Sequence, residues 1–203
     1  MNAPATLFIV SAPSGAGKTS VVNAALARAP GVTRTVSHST RPPRAGEVDG
    51  VDYHFVSPER FRAMRAAGEF AESAQVFGND YGTAMATVRR ILAGGGHAVS
   101  VIDWQGARQL CGCFPDAVRI FIAPPSLDAL AARLRARATD AEAVIRRRLA
   151  QAELDMAQAC AYDYIVINDQ FETAVADMLA IWRSAPLRAD RQGSALGPGL
   201  GGG

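Results

Sequence analysis

The run Leu7-Phe8-Ile9-Val10-Ser11-Ala12-Pro13-Ser14-Gly15-Ala16-Gly17-Lys18-Thr19 decides the reading of this chain. It reads as an apolar strand, a loop of small residues, and a helix opening on Lys18-Thr19. Small side chains let backbone N–H groups approach and wrap a phosphate. A lysine at this point reaches the β- and γ-phosphates, and the threonine hydroxyl after it is placed to hold Mg²⁺. The usual spacing is G-x-x-x-x-G-K-[ST]. Here Ala12 stands for the first glycine, which keeps the loop small but requires a negative φ there. A glycine-rich turn that only caps a helix does not need strand, spacing, Lys-Thr pair and following helix together. The expectation is a nucleoside triphosphate site built from Ala12, Pro13, Ser14, Gly15, Ala16, Gly17, Lys18 and Thr19.

Beyond this run, apolar strand-like segments alternate with helical patterns. Strands are expected at Leu7–Ser11, Thr33–Ser37, Ala98–Ile102, Val118–Ile122 and Tyr164–Ile167, and helices at Thr19–Arg28, Ser126–Arg137, Ala141–Ala159 and Glu172–Arg183. Short continuous apolar strands between helices point to an α/β fold with a parallel sheet covered on both faces. From about Arg41 to Gly82 the composition turns to Gly, Pro and charge, with strand-like pieces such as Tyr53-His54-Phe55-Val56, as expected of a small lobe inserted into the core. The polar connection Arg137–Ile145 between two helices suits a mobile lid. The tail from Gly193 is Gly-rich, without periodicity, and is expected to be disordered.

Composition limits the alternatives. The chain of 203 residues fits one domain with a real core, and its net charge of +2 demands neither nucleic acid nor a membrane. The three cysteines, Cys111, Cys113 and Cys160, are odd in number and lack zinc-ligand spacing, so they read as ordinary thiols. The apolar N-terminal run is too short to span a bilayer and lacks the basic lead of a signal peptide. A soluble, cytoplasmic protein is expected.

The second chemical signal is Ser37-His38-Ser39-Thr40-Arg41-Pro42-Pro43-Arg44-Ala45-Gly46-Glu47-Val48-Asp49-Gly50-Val51-Asp52-Tyr53-His54-Phe55. Two arginines three apart, stiffened by prolines, can grip one phosphate with forked donors, and the Tyr53 hydroxyl can add a neutral hydrogen bond. Alone, such a run is more often a solvated basic turn. Beside a triphosphate loop it reads as the grip on a second, phosphorylated substrate.

Together with Glu72…Tyr81-Gly82-Thr83, Ile102-Asp103-Trp104-Gln105-Gly106, Phe121-Ile122-Ala123-Pro124-Pro125-Ser126, Arg133-Leu134…Arg137…Arg148-Leu149 and Ile167-Asn168-Asp169, these motifs resemble guanylate kinase. The resemblance runs from about Leu7 to Trp182 in family order, and the Arg-x-x-Arg-x-Gly-Glu-x-x-Gly-x-x-Tyr-x-Phe run is its most specific part. It implies a three-layer P-loop NTPase-like parallel sheet carrying a GMP-binding lobe (about 38–84) and a lid (about 136–146) within one domain, 1–192, followed by the tail 193–203. It implies transfer of the γ-phosphate of ATP to GMP, with dGMP, giving ADP and GDP for guanine nucleotide synthesis and recycling. Mg²⁺ accompanies ATP. The implied partners are these small molecules, with a homo-oligomer allowed.

Carried over by motif, Arg41, Arg44, Tyr53 and Tyr81 are the ligands of the GMP phosphate, and Ser37, Glu72, Thr83 and Asp103 read the guanine. Guanine presents two adjacent donors, N1–H and the 2-amino group, and one carboxylate accepts both. Adenine would strand that carboxylate, so such a site discriminates steeply. Glu72 is the first choice for this role and Asp103 the second. On the donor side Lys18, Arg137 and Arg148 are the expected catalytic groups, with Arg133 beside them, Thr19 on the metal and Asn168 at the adenine edge. Arg133 and Arg137 are four apart and share a helix face, whereas Arg146, Arg147 and Arg148 fan around a helix and cannot all meet one ligand. Phosphoryl transfer asks mainly for positioning and charge neutralisation. No general base is expected, because the GMP phosphate oxygen is already anionic. His38 and His54 read as structural.

Two positions depart from the family pattern. Val101 stands where an acid is usual two residues before Asp103, which either weakens the metal's water shell or simply improves strand packing. Ala138 stands where the lid usually has Gly, reducing backbone freedom there. Two rival readings remain: a guanylate-kinase-like scaffold without catalysis, against which the intact Gly17-Lys18-Thr19 speaks, and a P-loop kinase for another phosphorylated acceptor, such as a phosphosugar, which would need neither Glu72 nor Asp103.

Overall fold

The computed structural model describes residues 5–76, 78–136 and 141–192. In chain order the strands are β1 (Leu7–Ser11), β2 (Val32–Arg34), β3 (His38–Ser39), β4 (His54–Phe55), β5 (Phe70–Val76), β6 (Asn79–Ala84), β7 (His97–Val101), β8 (Val118–Ala123) and β9 (Tyr164–Ile167). The helices are α1 (Lys18–Leu26), α2 (Pro58–Ala66), α3 (Met85–Ala93), α4 (Trp104–Cys113), α5 (Leu127–Ala136), α6 (Glu142–Met156), α7 (Phe171–Ser184) and the short α8 (Ala189–Gln192).

The five-stranded core sheet has the order β2-β7-β1-β8-β9, every neighbouring pair being parallel. β1 lies in its centre and all five of its residues are buried. Alternate side chains of a strand face opposite ways, so such a strand must feed two cores. Phe8 and Val10 pack with Val21, Val22 and Ala25 of α1 and Val175, Met178 and Trp182 of α7. Leu7 and Ile9 pack on the other face with Val88 of α3 and Ala107 and Leu110 of α4. The result is the three-layer α/β arrangement expected of the alternating strands and helices. Among the described residues no helix is long and apolar enough to cross a membrane.

A second sheet, order β4-β3-β6-β5, is built entirely between His38 and Ala84. Its β5–β6 hairpin is antiparallel and pairs Glu72 with Thr83 and Ala74 with Tyr81. Gly78, with φ +82°, makes the turn between them. α2 also lies in this stretch. Ser57 caps it by accepting from the Arg60 N–H at 3.2 Å, and Pro58 occupies its first turn.

The structure differs from the sequence expectations at several elements. The strand expected at Thr33–Ser37 is Val32–Arg34, because beyond Thr35, whose N–H still bonds Val99, the chain leaves β7 for the second sheet. α2, α3 and α4 had no expected counterpart, and helices expected to begin at Ser126 and Glu172 begin at Leu127 and Phe171. Arg137, Ala138 and the tail 193–203 lie outside the described residues.

Candidate active site

β1 ends by projecting the loop of residues 12–17 beyond the sheet. Gly15 (φ +95°) and Gly17 (φ +89°) adopt the left-handed conformation that lets the loop curl before α1 starts at Lys18. The Ala16 N–H closes a turn onto the Pro13 carbonyl at 3.2 Å. A Cβ on Gly15 would lie 2.8 Å from Leu134 of α5, and one on Gly17 would collide with Asn168 Nδ2. Both glycines therefore answer to packing as well as to φ.

The loop walls a cavity of about 420 Å³ lined by Ala12, Pro13, Ser14, Gly15, Gly17, Lys18 and Thr19, with Gln75, Asp103, Trp104, Gln151 and Asp155 opposite. Lys18 Nζ donates to the Ile102 carbonyl at 2.8 Å. Burial pushes its ammonium down to about 8, and the Asp103 and Asp155 carboxylates only partly offset this. Asp155, on α6, was not singled out from sequence, because nothing in one chain reveals which acid of a helix returns to the loop. It accepts from Gln151 Nε2 at 2.9 Å. Arg148 is one turn before Gln151 and shares its helix face with Gln151 and Asp155, whereas Arg146 and Arg147 are exposed. Arg133 donates to the Asn168 carbonyl at 2.8 Å, and Asn168 Nδ2 donates to the Ala16 carbonyl at 2.7 Å. Asn168 is thus engaged with the back of the loop.

A second cavity adjoins the first, with Lys18, Asp103 and Val76 on the walls of both. Ser37, Arg41, Arg44, Tyr53, Glu72, Tyr81 and Asp103 all line it. Thr83, fully buried behind them, shares a 3.0 Å hydrogen bond with the Ser37 hydroxyl. The second sheet makes this convergence: β5 presents Glu72, Ala74 and Val76 on one face, and β6 places Tyr81 across from Ala74.

At the cationic end Arg41 is 8% exposed and forms a forked pair with Glu47, at 2.6 Å from Nη1 and 2.5 Å from Nη2. The Arg44 N–H donates to the same carboxylate at 2.7 Å. These bonds hold the Glu47 carboxyl down at about 2, with Arg41 the chief cause. The Arg41 guanidinium also lies 5.0 Å over the Tyr53 ring, whose centroid is 5.9 Å from that of Tyr81.

Glu72 is 3% exposed, and its Oε1 has no hydrogen-bond partner among the described residues. Burial raises its carboxyl to about 7; Thr83 opposes this by hydrogen bonding, and the Asp103 charge adds to it. Gly106, in the first turn of α4, makes room for it: a Cβ there would lie 2.5 Å from Glu72 Oε2. Asp103 caps that helix, its Oδ1 accepting from the Gly106 N–H at 2.8 Å. Gly106 closes the Ile102–Gly106 motif but had no assigned role, since close approach to a distant glutamate is invisible in sequence. Val101 packs against the main core cluster and reaches the wall of this cavity.

A small-residue loop with two left-handed glycines before a Lys-Thr helix start, joined to a second cavity with two arginines and a buried carboxylate on its walls, has the layout of a P-loop phosphotransferase. The family model described as guanylate kinase matches residues 4–185. The guanylate kinase of Alkalilimnicola ehrlichii is 49% identical over 189 residues, covering 93% of each chain. That of Thiobacillus denitrificans is 51% identical over 189 residues, covering 93% of this chain and 90% of its own. The crystal structure of guanylate kinase from Anaplasma phagocytophilum superposes with a TM-score of 0.78 at 31% identity, covering 94% of this chain and 91% of that one. The chain belongs to the guanylate kinase family.

Proposed function

We infer that this protein transfers the γ-phosphate of ATP to GMP, and to dGMP, giving ADP and GDP. The observation that carries the guanine assignment is Glu72. A carboxylate with an unpaired, buried oxygen, in the same cavity as Arg41 and Arg44, is matched by a ligand with two adjacent donors at one end and a phosphate at the other. Ser37, Thr83 and Asp103 complete the base pocket, and Arg41, Arg44, Tyr53 and Tyr81 take the phosphate. Glu47 holds the Arg41 fork in place for it.

On the donor side the loop Ala12–Thr19 surrounds the ATP phosphates with backbone N–H groups, and Lys18 places a compact positive charge at the β- and γ-phosphates. Thr19 lines the same cavity as the Asp103 and Asp155 carboxylates, and such oxygen donors suit Mg²⁺, which takes much of its coordination from phosphate and water. Among the described residues no three His, Cys, Asp or Glu side chains gather into a separate metal cluster. Bound with ATP through the Thr19 hydroxyl, the ion would supply charge neutralisation. By resemblance, Arg133, Arg137 and Arg148 are assigned to the donor phosphates and Asn168 to the donor nucleotide; Arg137 lies outside the described residues. The GMP phosphate oxygen forms the new bond to the γ-phosphorus while the bond to the β-γ bridging oxygen breaks and leaves with ADP. The nucleophile is already anionic, so no base is required. Lys18, on the shared wall of both cavities, faces the place where charge accumulates.

The test is ATP-dependent phosphorylation of GMP, dGMP, AMP and a phosphosugar, each with and without Mg²⁺. Mg²⁺-dependent turnover confined to the guanine acceptors is expected. ATP binding with no turnover of GMP would overturn the reading in favour of a scaffold or another acceptor.

A further inference from the structure

Asn168 follows β9 by one residue, yet its contacts lie far from it in sequence. Asn168 is 6% exposed, and its Nδ2 reaches across 152 positions to donate to the Ala16 carbonyl at 2.7 Å. Its own backbone is fixed at both polar atoms: the N–H donates to Ala123 at 2.8 Å, and the carbonyl accepts from Arg133 Nη2 at 2.8 Å. The carboxamide lies against the loop at its left-handed turn, where a Cβ on Gly17 would run into Nδ2.

The peptide joining Ala16 and Gly17 is planar and trans, so its C=O and N–H point in opposite directions. Drawing the Ala16 carbonyl outward onto Asn168 therefore turns the Gly17 N–H inward, to the side of the loop that lines the cavity. With that tether removed, the peptide is free to rotate. A carbonyl dipole turned inward would repel a phosphate where an N–H should attract it. We propose that Asn168 is a positioning residue for the phosphate donor: it sets the orientation of the Ala16–Gly17 peptide, and Arg133 braces it from α5. This rests on the reading of residues 12–19 as the donor-phosphate cradle. It differs from an adenine-edge contact, because it acts on the phosphates of any donor.

The two roles separate with a probe that has no base. Calorimetric titration of the full chain with Mg-ADP and with Mg-tripolyphosphate is compared for the wild type, Asn168→Ala and Asn168→Asp. Loss of one well-made buried hydrogen bond predicts that Asn168→Ala weakens both probes by a similar factor, about tenfold. Asn168→Asp, which sets a carboxylate against the Ala16 carbonyl, weakens them further. In steady state KM for ATP rises while KM for GMP does not. Asn168→Ser, a smaller change that keeps a hydroxyl donor but falls short of the Ala16 carbonyl, gives a loss in the same direction for both probes and keeps the test open if the other two variants fold poorly. Weakened Mg-ADP with unchanged tripolyphosphate would overturn the proposal in favour of an adenine contact, and unchanged affinity for both would overturn it outright. Failure of the wild type to bind either probe would overturn the cradle reading itself, and this inference with it.

Discussion

Replacing Glu72 by Gln keeps the shape of the side chain and removes its charge, and the consequences for stability and for activity run in opposite directions. The carboxyl sits at about 7 in the fold, chiefly through burial, against 4.5 in an unperturbed chain. The folded value is the higher, so between these pH values the native state holds the extra proton, and stability falls as pH rises through the window. At 1.36 kcal/mol per pH unit the full effect is about 3 kcal/mol, of which about 2–3 kcal/mol is lost between pH 5 and pH 8. Gln does not titrate, so urea unfolding at both pH values should show Glu72→Gln gaining about 2–3 kcal/mol on the wild type at pH 8 relative to pH 5. Any constant cost of burying the amide cancels in that comparison. Activity moves the other way. An amide cannot accept from both N1–H and the 2-amino group, and its NH₂ faces a donor, so kcat/KM for GMP should fall by about 10³-fold or more. KM for ATP should stay near the wild-type value. A stability difference independent of pH would falsify the assignment of a buried, proton-holding carboxyl, and unimpaired GMP turnover would remove Glu72 from the base pocket.

Three further outcomes follow from single contacts. Lys18 is held at about 8 in the free protein and must be charged to bind phosphate, so affinity for Mg-ADP measured by calorimetry should decline as pH climbs through 8. Gly106→Ala sets a Cβ 2.5 Å from Glu72 Oε2 and must displace the carboxylate; KM for GMP should rise about 10- to 100-fold with KM for ATP unchanged, and a small uniform loss in both would show the glycine to be merely structural. Glu47→Gln removes the forked partner of Arg41, so GMP affinity should fall about tenfold. The same variant should also lose the acid sensitivity that Glu47 confers. Its folded value of about 2 lies below 4.5, so its stabilisation is complete above about 4.5 and disappears as pH falls through 2.

The parts of the fold that could be read from sequence are those where one residue type admits one environment. Phe8, Ile9 and Val10 in an unbroken apolar run demand burial on both faces, and a central strand is the place in an α/β sheet that provides it. Gly15 and Gly17 flag the left-handed turns, and Lys18-Thr19 fixes where the helix begins. α2 was illegible for the opposite reason: only Phe61 and Met64 of its nine residues are buried, too few to impose a helical period, and its Ser57-Pro58 start signal was the only cue. α3 and α4 hide similarly behind short apolar stripes. At the site, residue types foretold chemistry but not contacts. Arg41, Arg44 and Tyr53 of the 37–55 run line one cavity, as their chemistry suggests. That Glu47 grips Arg41, that Gly106 makes space for Glu72, and that Asn168 faces Ala16 depend on long-range placement that no local pattern encodes.

These contacts also explain why the site tolerates an arrangement that costs stability. The acceptor cavity keeps a buried carboxylate with one unpartnered oxygen and, on the same walls, two arginines, of which Arg41 is held in a forked pair with Glu47 while the backbone N–H of Arg44 bonds the same carboxylate. Neither feature would survive as packing alone, since a buried apolar side chain at position 72 would relieve the desolvation without loss of fold. Both make sense if the missing donors and the missing anion arrive together on one ligand. Binding is then strongest for a molecule that supplies both at the correct separation. A ligand with only the phosphate leaves Glu72 Oε1 without a donor, and one with only the base leaves the Arg41 guanidinium to Glu47 and the Pro42 carbonyl. On the proposed reading, selectivity over AMP rests on the unpartnered Glu72 oxygen and selectivity over guanosine on the phosphate grip of Arg41 and Arg44. The pH-dependent instability of the free protein at Glu72 is its measurable trace, and saturating GMP should abolish it above pH 7.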